Sequence, residues 1–157
     1  MQKIVAFDFD GTLTKKDTLF VFIRYACGFW RFASGLLLYS PLLVLMKLGL
    51  YPNWKAKQKV FAYFFKGMTL EAFDELCQQF AKDHLYLLRP QGVEAINQVL
   101  NEGAEVLIVS ASIDNWVRPF FKGIRILGTQ IEVEEGRLTG RFLTKNCYGQ
   151  ENVNRIL

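Results

Sequence analysis

The stretch IVAFDFDGTLT, residues 4–14, joins a short apolar run directly to two aspartates, a glycine and a threonine. The apolar run predicts a buried β-strand over residues 3–9. Side chains at positions i and i+2 of a strand point to the same side, so Asp8 and Asp10 should lie close together. Two carboxylates at this spacing repel each other unless a cation holds them. The stretch therefore predicts a charged site, with a bound cation, where the first strand ends.

The rest of the chain has the element order of an α/β protein. Helical patterns fill residues 17–84, and another helix over residues 91–103 precedes a return to strands. The further predicted features are helix ends at Gly28, Pro41 and Gly67, an N-cap at Thr69, strands at 104–110 and 125–133, a short helix at 114–123, a hairpin at 132–142 and a last helix at 149–157.

This order predicts a Rossmann-like parallel sheet with an α-helical cap inserted after the first strand. Residues 1–15 and 88–157 are assigned to the α/β core, and residues 16–87 to the helical cap. The part outside the cap is small for a sheet of this class, so we expect a core that is incomplete at its C-terminus.

Parallel α/β sheets bind ligands at the carboxyl ends of their strands. Asp8 and Asp10 end the first predicted strand and Ser110 ends the second, so the three side chains should meet at one edge. The hydroxyl of Ser110 and the backbone N–H of Ala111 can hold a phosphate there, helped by the dipole of the following helix. Each residue alone also fits an ordinary turn or helix cap, and the combination favours a site.

The residue types of the first stretch suit phosphoryl transfer. A carboxylate such as Asp8 can attack a phosphoryl group and form an aspartyl-phosphate. Asp10 is placed to protonate the leaving alkoxide and then to activate water. Gly11 permits a sharp turn and the close approach of a ligand, and Thr12 offers a hydroxyl and an N–H. Mg²⁺ is the natural cofactor, bound by Asp8 and Asp10, because it prefers hard oxygen ligands and bridges carboxylate to phosphate.

The charge of the chain is unevenly distributed. Residues 11–70 hold nine Lys and Arg residues against one acid, a net charge of +8 in a chain whose total is +4. This asymmetry indicates an anionic partner, either a phosphorylated ligand or a membrane surface. The single histidine, His84, excludes a His-rich metal site, and no P-loop motif is present. The three cysteines lack CxxC spacing, which favours reduced thiols and a cytoplasmic location.

Residues 32–50, FASGLLLYSPLLVLMKLGL, contain a single charged residue, Lys47. Three interpretations stay open, in decreasing order of preference: buried or pocket-lining helices, helices resting on a membrane surface, and a true span. The central Pro41 argues against a span. The nearby Lys55, Lys57 and Lys59 favour the surface over the span, since basic residues suit anionic headgroups.

Two motifs resemble those of the haloacid dehalogenase-like hydrolases. FDFDGTLT is similar to the first motif of that superfamily, and VLIVSAS to the second. The helical insertion resembles the cap of the phosphoserine phosphatase-like branch. The resemblance implies an Mg²⁺-dependent phosphatase in which Asp8 is the nucleophile. Asp10 then serves as general acid and base and ligates the metal through its carbonyl, and Ser110 holds the phosphate.

The C-terminal part departs from the family pattern. The third motif typically reads GxEKV, whereas this chain reads GQENV, with Asn152 where the lysine is expected. Lys145 or the cap residue Lys57 could supply that cation. The acidic fourth motif, which completes the metal site of the family, does not occur before Leu157. We therefore expect a fragment of a longer protein or a degenerate member.

The apolar residues of the cap can simply pack it against the core, with its lysines as a solvated face. Equally, the basic and apolar cap suits a lipid or other amphiphilic phosphomonoester better than a small one. In this the chain resembles phosphatidylglycerophosphate phosphatase-like members, whose CxGxEKV segment is matched by Cys147, Gly149 and Glu151. The expected function is an Mg²⁺-dependent phosphomonoesterase in the cytoplasm, with peripheral contact to an anionic inner membrane face and no nucleic-acid partner. The alternative is a catalytically impaired protein that binds phosphate or a membrane surface.

Overall fold

The computed structural model describes residues 3–143. Three parallel strands form the central sheet in the order β1–β2–β3, and an antiparallel pair, β4–β5, forms a hairpin. The strands are β1 (Ile4–Asp8), β2 (Glu105–Ile113), β3 (Arg125–Thr129), β4 (Ile131–Glu134) and β5 (Arg137–Phe142). The parallel α/β architecture predicted from the element order is confirmed.

Five helices follow β1, and two more flank β2. They are α1 (Thr18–Cys27), α2 (Phe29–Leu38), α3 (Ser40–Lys47), α4 (Asn53–Phe65), α5 (Leu70–Asp83), α6 (Pro90–Asn101) and α7 (Asp114–Val117). Helix α1 ends at Gly28 as predicted, and the Thr69 side chain accepts a hydrogen bond from the Ala72 N–H at the start of α5. The break near Pro41 is confirmed, since Pro41 lies in the first turn of α3. The predicted last helix lies outside the described residues.

Strand β1 is less buried than its apolar sequence predicts. It pairs with β2 from Ile4↔Glu105 to Asp8↔Val109 and lies at the edge of the described sheet. Ile4 is 47% exposed. The prediction of a buried strand is therefore wrong for β1, because no described strand pairs with its other edge.

Residues 125–133 form two strands instead of the single one predicted. β3 ends at Thr129, and β4 begins at Ile131 and pairs with β5 instead. The apolar alternation continues through the break, so periodicity gives no sign of it. Contacts to β2 and α7 hold the end of β3. The Thr129 hydroxyl donates to the Ala111 carbonyl of β2 (2.7 Å), and a Cβ added at Gly128 would lie 2.8 Å from the Cβ of Asp114 in α7.

The predicted hairpin is confirmed and packs against α4. Its turn contains Glu135 and Gly136, both with positive φ, which suits the right-handed twist of the strands. The Phe142 N–H donates to the Gln58 side chain at 2.8 Å. At Gly140 (φ +90°), a Cβ would lie 2.7 Å from Ala62 Cβ, so the glycine permits close approach of strand and helix.

An aromatic cluster joins the helices after β1 to the sheet. The Phe22 ring of α1 stacks on Trp116 of α7 with a centroid distance of 4.5 Å. Phe80 of α5 meets the same Phe22 ring edge-on at 5.1 Å. Phe22, Phe80 and Trp116 are all fully buried. This cluster fixes α1 and α5 against the end of β2, the strand that carries Ser110.

No single helix described between residues 3 and 143 is long and apolar enough to span a membrane. Helices α2 and α3 reach that length only together, and they meet at a bend of 64°. The interpretation of α2 and α3 as buried helices is not met by these two helices. Gly35 is the only buried residue of α2, and α3 has none.

Truncation of Phe22 tests the aromatic cluster. Phe22→Ala should lower the free energy of unfolding by about 3–5 kcal/mol, because it removes a fully buried ring and leaves a cavity. Phe29→Ala is the matched control, since Phe29 is 53% exposed, and should cost less than about 1 kcal/mol. Urea unfolding followed by circular dichroism measures both. Equal losses in the two variants would contradict the packing described.

Candidate functional site

The two aspartates lie where β1 ends and turns toward α1. Asp8 is the last residue of the strand, and the chain then turns sharply at Gly11, whose φ is +77°. The Thr14 hydroxyl accepts the Gly11 N–H at 3.1 Å, and the Thr14 N–H donates to the Phe9 carbonyl at 3.1 Å. Thr14 is fully buried, so its hydrogen bonds tie the turn to the protein interior. No pattern in the sequence indicates this role for Thr14.

The carboxylate of Asp10 accepts four hydrogen bonds. Its Oδ1 accepts the Thr18 N–H at 2.9 Å and the Thr18 hydroxyl at 2.7 Å. Its Oδ2 accepts the Ser110 hydroxyl at 3.0 Å and a short hydrogen bond from the Ser112 hydroxyl. The predicted meeting of Asp10 and Ser110 is therefore present, although 100 residues separate them in the chain. Ser112 and Thr18 were not predicted.

An irregularity in β2 brings both serines to Asp10. Ser110 does not end the strand as predicted, because β2 continues to Ile113. Val109 pairs with Leu127 and Ile113 with Thr129, so β2 contains two more residues than β3 over this stretch. Such bulges bend a strand and redirect its side chains. The Ser112 N–H donates to the Ser110 hydroxyl at 2.9 Å, which fixes the pair.

A further hydrogen bond ties this cluster to the hydrophobic core. The Trp116 indole N–H donates to the Thr18 hydroxyl at 3.0 Å, and both residues are fully buried. Thr18 is the first residue of α1 and Trp116 belongs to α7, so the bond spans 98 residues of sequence. The sequence could suggest Thr18 only as a helix start, because its partners come from distant segments.

Asp8 is less well compensated than Asp10. It is half-buried, and the Thr12 hydroxyl donates to its Oδ2 at 3.2 Å. Burial raises the pKa of Asp8 above its ordinary value of 3.8, and the nearby charge of Asp10 raises it further. Hydrogen bonds from Thr12 and from the Phe9 backbone lower the pKa of Asp8 and offset part of this effect. The repulsion expected between the two carboxylates is thus present.

The oxygen atoms here suit a hard cation in part. Asp8 offers a carboxylate beside a like charge, and Asp10 offers a backbone carbonyl while its carboxylate is already hydrogen-bonded. Mg²⁺ commonly takes only one or two protein carboxylates and fills its shell with water and substrate phosphate. Within residues 3–143 no group of three or more His, Cys, Asp or Glu side chains is arranged for a metal. The described residues therefore fit part of an Mg²⁺ site.

One cation of the helical region lies near Ser112. Lys57 of α4 lines a small cavity together with Ala111 and Ser112, and its side chain is 19% exposed. Its Nζ lies 3.9 Å from the Asp17 carboxylate. The residues that the sequence analysis singled out in the C-terminal part lie outside the described residues. They are Lys145, Cys147, Gly149, Glu151 and Asn152.

Comparisons with known proteins find similar sequences and similar structures. The sequence model of the haloacid dehalogenase-like hydrolases matches residues 5–157. Protein CicA of Caulobacter vibrioides is 34% identical over 158 residues, which cover 98% of this chain and 70% of CicA.

Solved structures share the fold at lower identity. A protein of unknown function from Bordetella pertussis Tohama I has a TM-score of 0.80 at 20% identity, covering 99% of this chain and 73% of its own. A phospho-aspartyl intermediate analogue of phosphoserine phosphatase has a TM-score of 0.57 at 19% identity, covering 92% of this chain and 63% of its own. The resemblance of FDFDGTLT and VLIVSAS to the superfamily motifs is thereby confirmed, and the chain belongs to the haloacid dehalogenase-like hydrolases.

Proposed function

We propose that this protein is an Mg²⁺-dependent phosphomonoesterase that forms an aspartyl-phosphate on Asp8. The observation that carries the proposal is the meeting of three polar side chains at one end of the sheet. Asp8 pairs with Val109, and the next residue of β2, Ser110, donates its hydroxyl to Asp10. A carboxylate nucleophile, a second carboxylate and a hydroxyl donor are thus held within one small region.

The proposed reaction has two halves. In the first, an oxygen of Asp8 bonds to phosphorus, the bond from phosphorus to the leaving oxygen breaks, and that oxygen takes a proton from the Asp10 carboxyl. In the second, water attacks phosphorus and gives its proton to the Asp10 carboxylate. The bond from phosphorus to Asp8 then breaks, which releases inorganic phosphate and restores both aspartates.

Mg²⁺, held by the Asp8 carboxylate and the Asp10 carbonyl, would supply positive charge to Asp8 and to the phosphoryl oxygens. The raised pKa of Asp8 supports this assignment, because a carboxylate in such surroundings gains from a cation. The side chain of Lys57 is a second source of positive charge, since it lies beside Ala111 and Ser112.

The hydroxyl groups around Asp10 suit a residue that gives up and regains a proton. Ser110, Ser112 and Thr18 donate to the carboxylate in the structure. A hydroxyl can rotate and accept as well as donate, so the same three groups can adjust to a protonated Asp10. The site can therefore satisfy Asp10 in both protonation states without moving the backbone.

The substrate we infer is a phosphomonoester with an amphiphilic leaving group. The helices after β1 hold the basic residues, and several of their large apolar side chains are exposed. A small polar phosphate needs cations but gains nothing from such apolar surface, whereas a lipid phosphate uses both.

Replacement of the nucleophile is the first test. In the full-length protein, Asp8→Asn should reduce Mg²⁺-dependent hydrolysis of p-nitrophenyl phosphate at least about a thousandfold, because an amide cannot attack phosphorus. Glu102→Gln, an exposed carboxylate at the end of α6, is the matched control and should leave the rate unchanged. Hydroxylamine trapping followed by mass spectrometry should mark Asp8. Phosphate release that survives Asp8→Asn would refute the assignment.

The stability of metal-free protein gives a test that needs no turnover. Because burial raises the pKa of Asp8, the folded state favours the neutral carboxyl, and ionisation costs stability as the pH rises above 3.8. An asparagine side chain stays neutral at every pH, so the Asp8→Asn variant should have a Tm about 1–2 °C higher at pH 7. The difference should disappear well below pH 3.8, and Mg²⁺ should raise the Tm of the wild type alone. Differential scanning calorimetry measures these Tm values. A lower Tm for Asp8→Asn than for the wild type at pH 7 would contradict the proposal that the ionised Asp8 destabilises the folded protein.

Ser112 is expected to position Asp10. Ser112→Ala removes one of the two donors to Asp10 Oδ2, so kcat should fall about ten- to hundredfold while KM changes little. Ser112→Thr keeps a hydroxyl and should restore most of the rate. Ser34→Ala, on the exposed face of α2, is the control. Equal kcat values for Ser112→Ala and the wild type would show that Ser112 has no such role.

A further inference from the structure

Large apolar side chains are concentrated on the outer surface of α2, α3 and the loop that follows. Eight of the fifteen that are exposed in the described part of the chain lie between residues 29 and 50. We call seven of them the apolar face: Trp30 (81% exposed), Leu37 (78%), Leu38 (62%), Val44 (55%), Leu45 (40%), Leu48 (66%) and Leu50 (71%). Single exposed apolar residues are normal, but seven of them within residues 30–50 are typical of an interaction surface.

The inner side of these helices is firmly packed, so the exposure is not that of a detached arm. Gly35 of α2 is buried, and a Cβ there would overlap the Phe64 ring of α4. The Tyr39 ring, between α2 and α3, contacts Tyr63 of α4 with a centroid distance of 5.5 Å. Phe32 of α2 meets Phe20 of α1 at 6.4 Å. One side of α2 is thus fixed to its neighbours, and the opposite side is left outward.

The charged residues of the segment that carries the apolar face are all basic. From Thr18 to Leu70 the sequence contains seven basic residues and no acidic one. Arg31 and Lys47 lie within α2 and α3 themselves, and both are exposed. Clustered Lys and Arg beside an amphipathic segment attract anionic lipid headgroups.

A cavity beside the apolar face is suited to hydrocarbon. It has a volume of about 350 Å³ and is lined by six apolar or basic side chains and one serine: Phe20, Leu36, Ser40, Leu43, Val44, Met46 and Lys47. Val44 and Lys47 adjoin both the cavity and the surface, so an acyl chain that left the bilayer could enter here.

We propose that the apolar face docks on a membrane surface that contains anionic lipids. A second copy of the chain is a poorer occupant, because docking through this face would bring two positively charged segments together. The bend of 64° between α2 and α3 and the packed inner side favour shallow insertion over a span. The proposal does not depend on the phosphatase activity, since binding requires neither Asp8 nor Mg²⁺.

Vesicle co-sedimentation tests the proposal. The protein should bind vesicles of phosphatidylcholine mixed with phosphatidylglycerol at low salt, and should bind pure phosphatidylcholine at least about tenfold more weakly. The double substitution Leu37→Gln and Leu48→Gln should weaken binding about tenfold or more, since it removes inserted apolar area. Arg31→Gln with Lys47→Gln should weaken binding to the anionic vesicles and reduce its dependence on salt.

Matched controls lie elsewhere on the surface. Leu85→Gln with Leu100→Gln alters two leucines that are 56% and 43% exposed, and Lys82→Gln with Lys122→Gln alters two exposed lysines; both pairs should leave binding unchanged. Asp8→Asn should also bind normally, which separates this test from that of the activity. The proposal fails if wild type does not bind anionic vesicles at low salt, or if both leucine pairs have the same effect. It also fails if sedimentation velocity shows a dimer that Leu37→Gln with Leu48→Gln dissociates.

Discussion

The hydrogen bonding of the Asp10 carboxylate is the constraint on which the arrangement of the chain depends. A partly buried carboxylate is costly unless its oxygens are satisfied, and here α1 and β2 each supply two donors. The start of α1 is thereby fixed against the bulge of β2. Trp116 extends the network into the core through Thr18 and also stacks on Phe22. The helices after β1 are thus positioned over the sheet by a group that belongs to the proposed chemistry.

Asp8 and Asp10 show how one local sequence produces two electrostatic environments. The Asp10 carboxylate is surrounded by hydroxyls that donate to it. Asp8 has only the Thr12 hydroxyl, at 3.2 Å, among side-chain donors of the described residues, and it lies near a second negative charge. Environments that differ in this way are typical of paired carboxylates with different roles. In the proposed reaction the hydroxyl groups around Asp10 suit proton transfer, and Asp8 gains most from a cation, which would also offset the negative charge of the phosphoryl group that it receives. The electrostatic strain on Asp8 is therefore part of the proposed function.

The sequence predicts the parts of the site that follow from local periodicity and from topology. The i, i+2 rule brings Asp8 and Asp10 together, and parallel pairing brings Ser110 to them from a distant part of the chain. Ser112 was not predicted because the strand was expected to end at Ser110, whereas β2 continues through Ser112 to Ile113. Thr18 and Trp116 were not predicted because their roles arise only from the contact of α1 with α7. Tertiary contacts, unlike periodicity, leave no signal in a single sequence.

The two charged regions of the molecule differ in how far the chain itself supplies partners for their charges. This difference bears on the apolar face. At the site, the chain supplies its own hydrogen-bond partners for Asp10, whereas Asp8 is the carboxylate that a cation from outside would stabilise. Between Thr18 and Leu70, seven cations have no acid within their own segment, and the adjoining apolar side chains have no cover among the described residues. Aqueous solvent hydrates the cations but leaves the apolar side chains uncovered. A neutral apolar partner covers the apolar side chains but does not compensate the cations. An anionic lipid surface satisfies both, because headgroups meet the cations while the interfacial hydrocarbon covers the leucines.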